Sequence, residues 1–437
     1  MAKLRALLAW RALCLLALTS VSLSGWAQGR ALWGGKQRNV RYEGTKLRIE
    51  SDDAEGFRLD IQSCYFLDAS GLIPLAGTKM LESDKEGALT MPRDINFHKL
   101  RTTFSGQLSH HWGFQFELDY GQQRLRYLSM QLDYQMNQHN LLRIGNMKVP
   151  SSMSVNHSAH SLMQLDTPIG LSLASHRRMG LGYFHHSRSL YIGIGGYTYN
   201  MNTLLHEQLQ TTPEWLVAAR IAYSPLVTAR QRLLLGINAS YYRPKEQTPQ
   251  LTIRPKMESS MADLRFLQLN IPLPGYQANY GGELAYQAGR LLLYGEVLAS
   301  TIDASSLLHF ATFLGWQGTL SYVLLGSPRG YNRAAGDFSG SPYRLSEKGL
   351  EIGLRASGLS LNLAGEERIQ GGGALVSYSA FISYWISRHL ALTLQGTYLD
   401  HDTQALGAGR YTVPKRKLQS FDGADLISLR ACLAITF

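Results

Sequence analysis

The sequence predicts an all-β chain: a transmembrane, antiparallel, up-and-down β-barrel of about sixteen strands with inward-folded loops. Three observations carry that expectation. Segments of roughly ten residues alternate apolar and polar side chains, the pattern of a strand with one face in lipid and one in a wet lumen. The connections between them alternate short and long. Past the leader no run of ~18 apolar residues exists, so no helix is expected to cross a membrane. Composition agrees, with 42 Gly, 14 Pro and 23 Tyr, and with charged residues at only 17% against about 25% in ordinary soluble domains.

The first 27 residues are read as a secretory leader. Lys3, Arg5 and Arg11 precede an apolar run, and small residues follow to Ala27. Cys14 lies inside the apolar run, which continues past it, so lipidation at that site is not expected. Without this leader the formal charge of +11 loses three cations and no acids. Residues 28–54 are read as an irregular periplasmic segment, and 55–437 as the barrel.

Side chains alternate faces along a strand. In "HWGFQFELDY", Trp112, Phe114, Phe116, Leu118 and Tyr120 share one face, and Gln115, Glu117 and Asp119 the other. "FHKLRTTFSGQL" sets Leu100, Phe104 and Leu108 against Lys99, Arg101 and Thr103. The same alternation runs through "FLGWQGTLSYVLL" and "ALVSYSAFISYWI". A soluble sandwich would bury such apolar faces against each other. Strand lengths near 10–13 residues, aromatics at strand ends and alternating loop lengths favour the barrel.

Strands are expected at 56–66, 96–108, 110–120, 124–136, 139–148, 177–186, 189–199, 214–223, 231–242, 277–288, 290–300, 310–325, 349–363, 374–386, 389–399 and 426–437. With both ends periplasmic, the long gaps fall outside, except 326–348, which is long yet periplasmic. The stretch 261–269 also has strand character and would spoil the even count.

The pieces "GFRLDIQSCYF", "LLRIGNMKVP", "YVLLGSPRGYNRAAGDF" and "GLEIGLRASGLSLN" occur in register over roughly 56–437. Together they resemble the phosphate-selective porins of the O and P type. The third loop departs from that pattern, with "KVPSSMSV" and no later Glu-Arg pair. The resemblance implies a homotrimeric outer-membrane channel without cofactors. It also implies that 149–176, 243–276 and 326–348 fold inward to line the pore.

Anion passage needs cations that partly replace hydration yet release the solute. Arg offers phosphate a bidentate fork and Lys a point charge. On the lumen parity stand Lys99, Arg101, Arg143, Arg220 and Arg355. Lys148 heads the third loop, with Arg177 and Arg178 at its far end and Asp166 inside. Arg254 and Lys256 lie in the fifth loop beside Arg243, Lys245 and Arg265, opposed by Glu246, Glu258 and Asp263. Arg329 and Arg333 lie in the periplasmic segment with Arg344 and Lys348, opposed by Asp337 and Glu347. Ten of these basic residues, Lys99, Arg101, Arg143, Lys148, Arg220, Arg254, Lys256, Arg329, Arg333 and Arg355, are the candidates for binding small, phosphate-like anions. Each also has an ordinary reading as a lipid anchor or as the ion-pair partner of lumen acids such as Glu117, Asp119, Asp133, Glu283 and Glu296. A general, weakly selective channel and a non-conducting surface or adhesion barrel therefore stay open beside the anion channel.

Catalysis is not expected. His110–His111 and His185–His186 sit in turns without a nucleophile motif. His157 and His160 make only a loose metal pair. Nucleic acid is not an expected partner; outer-membrane lipid and the barrel-assembly machinery are. Cys64 and Cys432 lie on the polar parity of the first and last strands. If Phe437 opposes about residue 57, they come close enough for a seam disulfide, and two free thiols fit equally well.

"LISLRACLAITF" puts Ile427, Leu429, Ala431, Leu433, Ile435 and Phe437 on one face. Pairing with the first strand would close the barrel and remove its edge. The final Phe437 resembles the signal that delivers such barrels for assembly. Deleting Phe437 is expected to lower the yield of heat-modifiable, membrane-assembled protein; an unchanged yield on a gel of unheated samples would contradict it.

Overall fold

A lipid-spanning chain must pair every backbone polar group internally, and the strand order shows how this one does so. The computed structural model describes residues 28–33, 36–51, 56–75, 93–121, 125–157, 165–202, 214–244, 248, 250–258, 265–272, 274–304, 309–339, 348–362, 370–402, 405 and 424–437. The expected leader, and Lys245, Glu246, Asp263, Arg344, Glu347 and His160, lie outside them.

In chain order the first strands are β1 (Gln28–Trp33), β2 (Lys36–Glu43), β3 (Lys46–Glu50), β4 (Arg58–Pro74), β5 (Arg93–Gln107) and β6 (Trp112–Asp119). Then come β7 (Arg126–Gln135), β8 (Asn140–Lys148), β9 (Arg177–His186), β10 (Leu190–Tyr197), β11 (Trp215–Val227) and β12 (Gln231–Arg243). The next are β13 (Gln250–Ile253), β14 (Gln268–Pro272), β15 (Gln277–Ala288), β16 (Leu291–Ala304) and β17 (His309–Leu325). The last are β18 (Gly349–Ser360), β19 (Gln370–Gly372), β20 (Ala374–Trp385), β21 (Leu390–His401) and β22 (Ala424–Thr436).

Sixteen of these close a single antiparallel barrel: β4 to β12, β15 to β18, and β20 to β22. The closure is β22 on β4, from Leu426 opposite Pro74 to Thr436 opposite Cys64. Phe437 exchanges backbone hydrogen bonds with Ser63, and its ring stands edge-on to Tyr65 at 5.1 Å.

The alternation sorts as expected. Ile144, Leu181, Ile237, Leu354 and Leu429 stand exposed on the outer face. Asn146, Arg220, Glu283, Glu296, Ser357, Ser377, Gln395 and Arg430 are buried on the inner one. Water cannot reach the outer face in a bilayer, so that apolar band is what lipid covers.

Four sequence readings change. First, β4 runs on eight residues past Phe66, because "LDASGLIP" keeps pairing with both neighbours despite Asp68 and Gly71. Second, that extension moves the seam. Cys432 lies opposite Asp68 and Cys64 opposite Thr436, so the cysteines are out of register and both are free thiols. Third, residues 28–50 are not irregular. They form a meander in which β1 pairs β2, β2 pairs β3, and β3 pairs the lower part of β4 from Arg58 to Ile61. Arg48 fixes that last pairing through Asp60 (Nε–Oδ1 2.6 Å). Fourth, the described part of the ambiguous 261–269 stretch, 265–269, adds no barrel strand. Gln268–Pro272 pairs instead with β13 and β19 in a small separate sheet.

The thiols give a direct check. Protein expressed without residues 1–27 and denatured without reductant is expected to take up two alkylating groups by mass spectrometry; none would restore the seam disulfide.

Candidate functional site: a lumen narrowed by folded-in segments

Three segments turn into the barrel, and charged wall residues hold each of them. After β8 the chain enters the lumen through a one-turn helix, Met153–Asn156. Its N-terminal N–H groups have no intrahelical partner, and a wall carboxylate fills that need. Glu296 accepts from the N–H of Met153 and of Ser154 (both 3.0 Å) and from Ser152 Oγ (2.6 Å). Glu283 accepts from Met153 N–H as well (3.1 Å). At the other end Lys148 Nζ donates to the carbonyls of Asn156 (2.8 Å) and His157 (2.9 Å).

Farther along the same loop, a short 3-10 turn at Ile169–Leu171 lies flat on the wall. A Cβ on Gly315 would fall 1.8 Å from Gly170 O, so only glycine permits this approach. Glu258 of the 243–276 segment accepts from Ile169 N–H (2.7 Å) and pairs with Arg355 and Ser357 of β18. Apolar side chains complete the seal. Ile169, Leu171, Leu269 and Ile271 pack on Leu298, Phe313, Leu359 and Leu399 of the wall.

The 326–348 segment also folds inward over its described part. Arg220 is fully buried. It pairs with Glu283 (Nη2–Oε2 2.9 Å) and donates to the carbonyls of Ala335 (2.9 Å) and Gly336 (2.8 Å). Gly336 adopts φ +62, and a Cβ there would meet the Tyr191 ring at 2.8 Å. Arg329 pairs with Glu351 (Nε–Oε1 2.7 Å). Tyr331 stacks under Arg232, 3.8 Å from its guanidinium carbon, and packs on Phe338.

The ten basic candidates thus divide by surroundings. Arg220, Arg329 and Arg355 are buried and each is matched by a carboxylate that helps hold a segment. Arg143 makes a two-point pair with Asp133 (2.8 Å at both contacts). Arg254, Lys256 and Arg333 are exposed. Lys99, Arg101 and Lys148 gather on one wall. Arg101 pairs with Asp119 (2.9 Å) and lies 3.8 Å from Glu117. Lys99 Nζ reaches Leu165 O (3.4 Å).

The site also takes in Arg177, read from the sequence at the far end of the third loop, and Arg126 and Arg430, which the sequence reading does not name. Arg177 joins the basic wall through Glu117 (3.1 Å), and Arg126 joins through Asp119 (3.1 Å). Arg430 is buried between Asp68 and Asp166 and ties the third loop to the seam. A lumen-parity Arg in the last strand, facing an Asp in the first, was the available signal. The anchoring roles of Glu258, Glu283, Glu296 and Glu351 are set by tertiary distance and have no local signature.

Inside the loops, enclosure shifts several groups. Burial raises the Asp166 carboxyl, but Arg430, His98 and Lys99 outweigh it and hold it below its ordinary value. Burial drops His176 to about 4, and the charges of Arg177, Lys148 and Lys256 add to that. Burial drops His157 to about 3, with Arg329, Lys148 and Arg220 adding to it. Burial lifts Asp337 to about 6, against the pull of Ser339, Lys148 and Arg220. Among the described residues no group of three His, Cys, Asp or Glu side chains is placed to hold a metal ion.

Comparison with known proteins follows this geometry. Residues 83–411 match the family described as phosphate-selective porin O and P. The chain belongs to this family. It is an outer-membrane porin. No curated protein matches it by sequence. Two of the solved structures that share the fold illustrate the likeness. One is an anion-selective porin from Comamonas acidovorans, with 9% identity, TM-score 0.50, and coverage of 87% of this chain and 99% of the other. The other is a loop L8 deletion mutant of OmpT from Vibrio cholerae, with 10% identity, TM-score 0.51, and coverage of 87% and 100%.

Asp337 supplies a pH test with a definite sign. Docked, it titrates near 6; released, it would return towards its ordinary 3.8. The docked insert therefore holds the extra proton. Its grip is strongest below the ordinary value and weakens as pH rises through 6. Hydrogen-exchange protection of 329–339 is expected to fall across that window. Asp337→Asn should flatten the profile, and a flat wild-type profile would contradict the assignment.

Proposed function

We propose that this porin is a passive, anion-preferring channel, with phosphate or polyphosphate as its solute class. The carrying observation is the charge balance on one wall. Arg101, Arg126 and Arg177 share only two carboxylates, Glu117 and Asp119. Lys99 and Lys148 stand within the same field, each sensing Arg101. An excess of cations beside water lowers the barrier for an anion and raises it for a cation. The planar guanidinium groups suit phosphate oxygens, and the Lys ammonium groups supply point charges.

On this reading Arg254, Lys256 and Arg333 gather anions at the two mouths. Arg143, Arg220, Arg329 and Arg355 shape the path rather than attract solute, since carboxylates match them. Export by the 1–27 leader and assembly as a homotrimer belong to the same proposal. The family and the solved anion-selective relative support it. The matched arginines favour the rival reading, a general diffusion pore with weak selectivity.

Planar-bilayer recordings separate the two. In a salt gradient the reversal potential is expected to favour chloride, and millimolar phosphate should block chloride current. Lys148→Glu with Arg177→Glu should move the reversal potential towards the cation side and relieve the block. Equal anion and cation passage by the wild type would leave only the general pore. Silence of the folded protein would leave the surface barrel.

A further inference from the structure

The short-turn rim of the barrel carries a charge pattern that passage of anions does not use. Six short turns join strands there: 108–111, 136–139, 187–189, 228–230, 289–290 and 386–389. They read LSHH, MNQH, SRS, TAR, GR and ISRH. Every one contains Arg or His, and none contains Asp or Glu. The long-loop end is different. Its loops mix signs, as in Glu82, Asp84 and Lys85 or Glu367 and Arg368. The single sign is therefore a property of the six short turns.

Four arginines form the permanent part of this charge: Arg188, Arg230, Arg290 and Arg388. All are exposed, and none makes an ion pair among the described residues. Arg188 and Arg290 reach only backbone carbonyls, Val227 O at 3.4 Å and Leu324 O at 3.1 Å. Three rim histidines are committed to neighbouring strand ends. The Nδ1 atoms of His111, His139 and His389 contact the carbonyls of Gln135, His186 and Thr436 at 2.8–2.9 Å. The arginines are thus the groups with donors to offer.

Their setting says to what. Just inside the rim the outer face carries a belt of exposed aromatics, including Trp112, Tyr134, Tyr223 and Tyr322, with Trp112 and Tyr134 in ring contact at 4.9 Å. Such belts mark the membrane–water interface. Short turns mark the periplasmic side. The arginines stand one step beyond the belt, at headgroup depth. Arg188, Arg230 and Arg290 stand on three successive hairpin turns, β9–β10, β11–β12 and β15–β16, and Arg388 on the β20–β21 turn, so the four follow one half of the barrel wall. An arc that follows half of a curved wall beside the aromatic belt suits a leaflet, which surrounds the barrel, better than the face of one soluble protein.

We propose that this rim binds anionic phospholipid headgroups of the periplasmic leaflet, each arginine presenting its guanidinium fork to one phosphodiester. The interaction seats the barrel at a defined depth from the periplasmic side. It is independent of the solute the channel passes.

Native mass spectrometry of the folded full chain tests it. The protein is offered equal amounts of phosphatidylglycerol and phosphatidylcholine with the same acyl chains. The wild type is expected to retain phosphatidylglycerol in several-fold excess. The R188Q/R230Q/R290Q/R388Q variant should approach parity while keeping the wild-type reversal potential. Parity in the wild type overturns the proposal. So does an undiminished preference in the variant, which would place lipid elsewhere and leave the rim for an acidic protein. Excess inorganic phosphate should not displace the lipid; displacement would mean the rim takes free anions, and overturns the lipid assignment. If the fourfold variant does not show a heat-modifiable band, Arg290→Gln and Arg388→Gln singly should each reduce retention. No reduction in either overturns it equally.

Discussion

Closure of the hydrogen-bond ladder is the constraint on which the rest of this molecule depends. In hydrocarbon each unpaired backbone N–H or C=O costs several kcal/mol. A sheet of sixteen strands with an open seam would leave two full rows of such groups. The pairing of β22 with β4 removes both rows. It also sets which way every side chain faces, since a slip of one residue would exchange the two faces of the last strand. Arg430 would then point into lipid, and Leu429 would take its place between Asp68 and Asp166.

Once the wall is closed, its inner face can be used for holding. Buried carboxylates do most of that. Glu296 terminates a helix that is otherwise too short to stand alone. Glu258 and Glu351 each receive an arginine from across a segment boundary, and Glu283 binds Arg220 while touching the third loop. Buried ion pairs add little net stability compared with apolar packing. Removing one partner alone costs about 3–5 kcal/mol. Such pairs specify position, which is what a constriction requires. The apolar contacts of Leu269, Ile271 and Phe266 with the upper wall give the folded-in segments their burial. The basic wall around Arg101 and Lys148 is built on the opposite rule, with Arg101, Arg126 and Arg177 sharing Glu117 and Asp119.

The period of two made the wall legible in the sequence. Sixteen strands, their inward and outward faces, and the closing role of the last strand all follow from it, because lipid on one side enforces strict alternation. The seam register was not legible. It depended on where β4 ends, and Asp68 and Gly71 look like a loop until their partners are known. The basic residues were legible as lumen-facing, but their pairing was not. Arg220 and Glu283 are 63 residues apart, and Arg355 and Glu258 are 97 apart. Parity says that each faces inward, and only the barrel's circumference says which meets which. The glycine approach of Gly170 to Gly315 was hidden for the same reason.

The N-terminal meander acquires a meaning from its place on β4. β3 occupies the edge of β4 from Arg58 to Ile61, and β22 occupies the same edge from Cys64 upward. The two segments run in line, one after the other, against a single strand. The β3 contact spans about a dozen residues of sequence, whereas the β22 contact spans more than 350. Loop-closure entropy favours the nearer partner. With the lower edge already filled, the last strand meets a doorstop: it cannot slide downward past Ser63. The meander thus acts as a gauge block for closure, measuring off the register at which the cylinder locks.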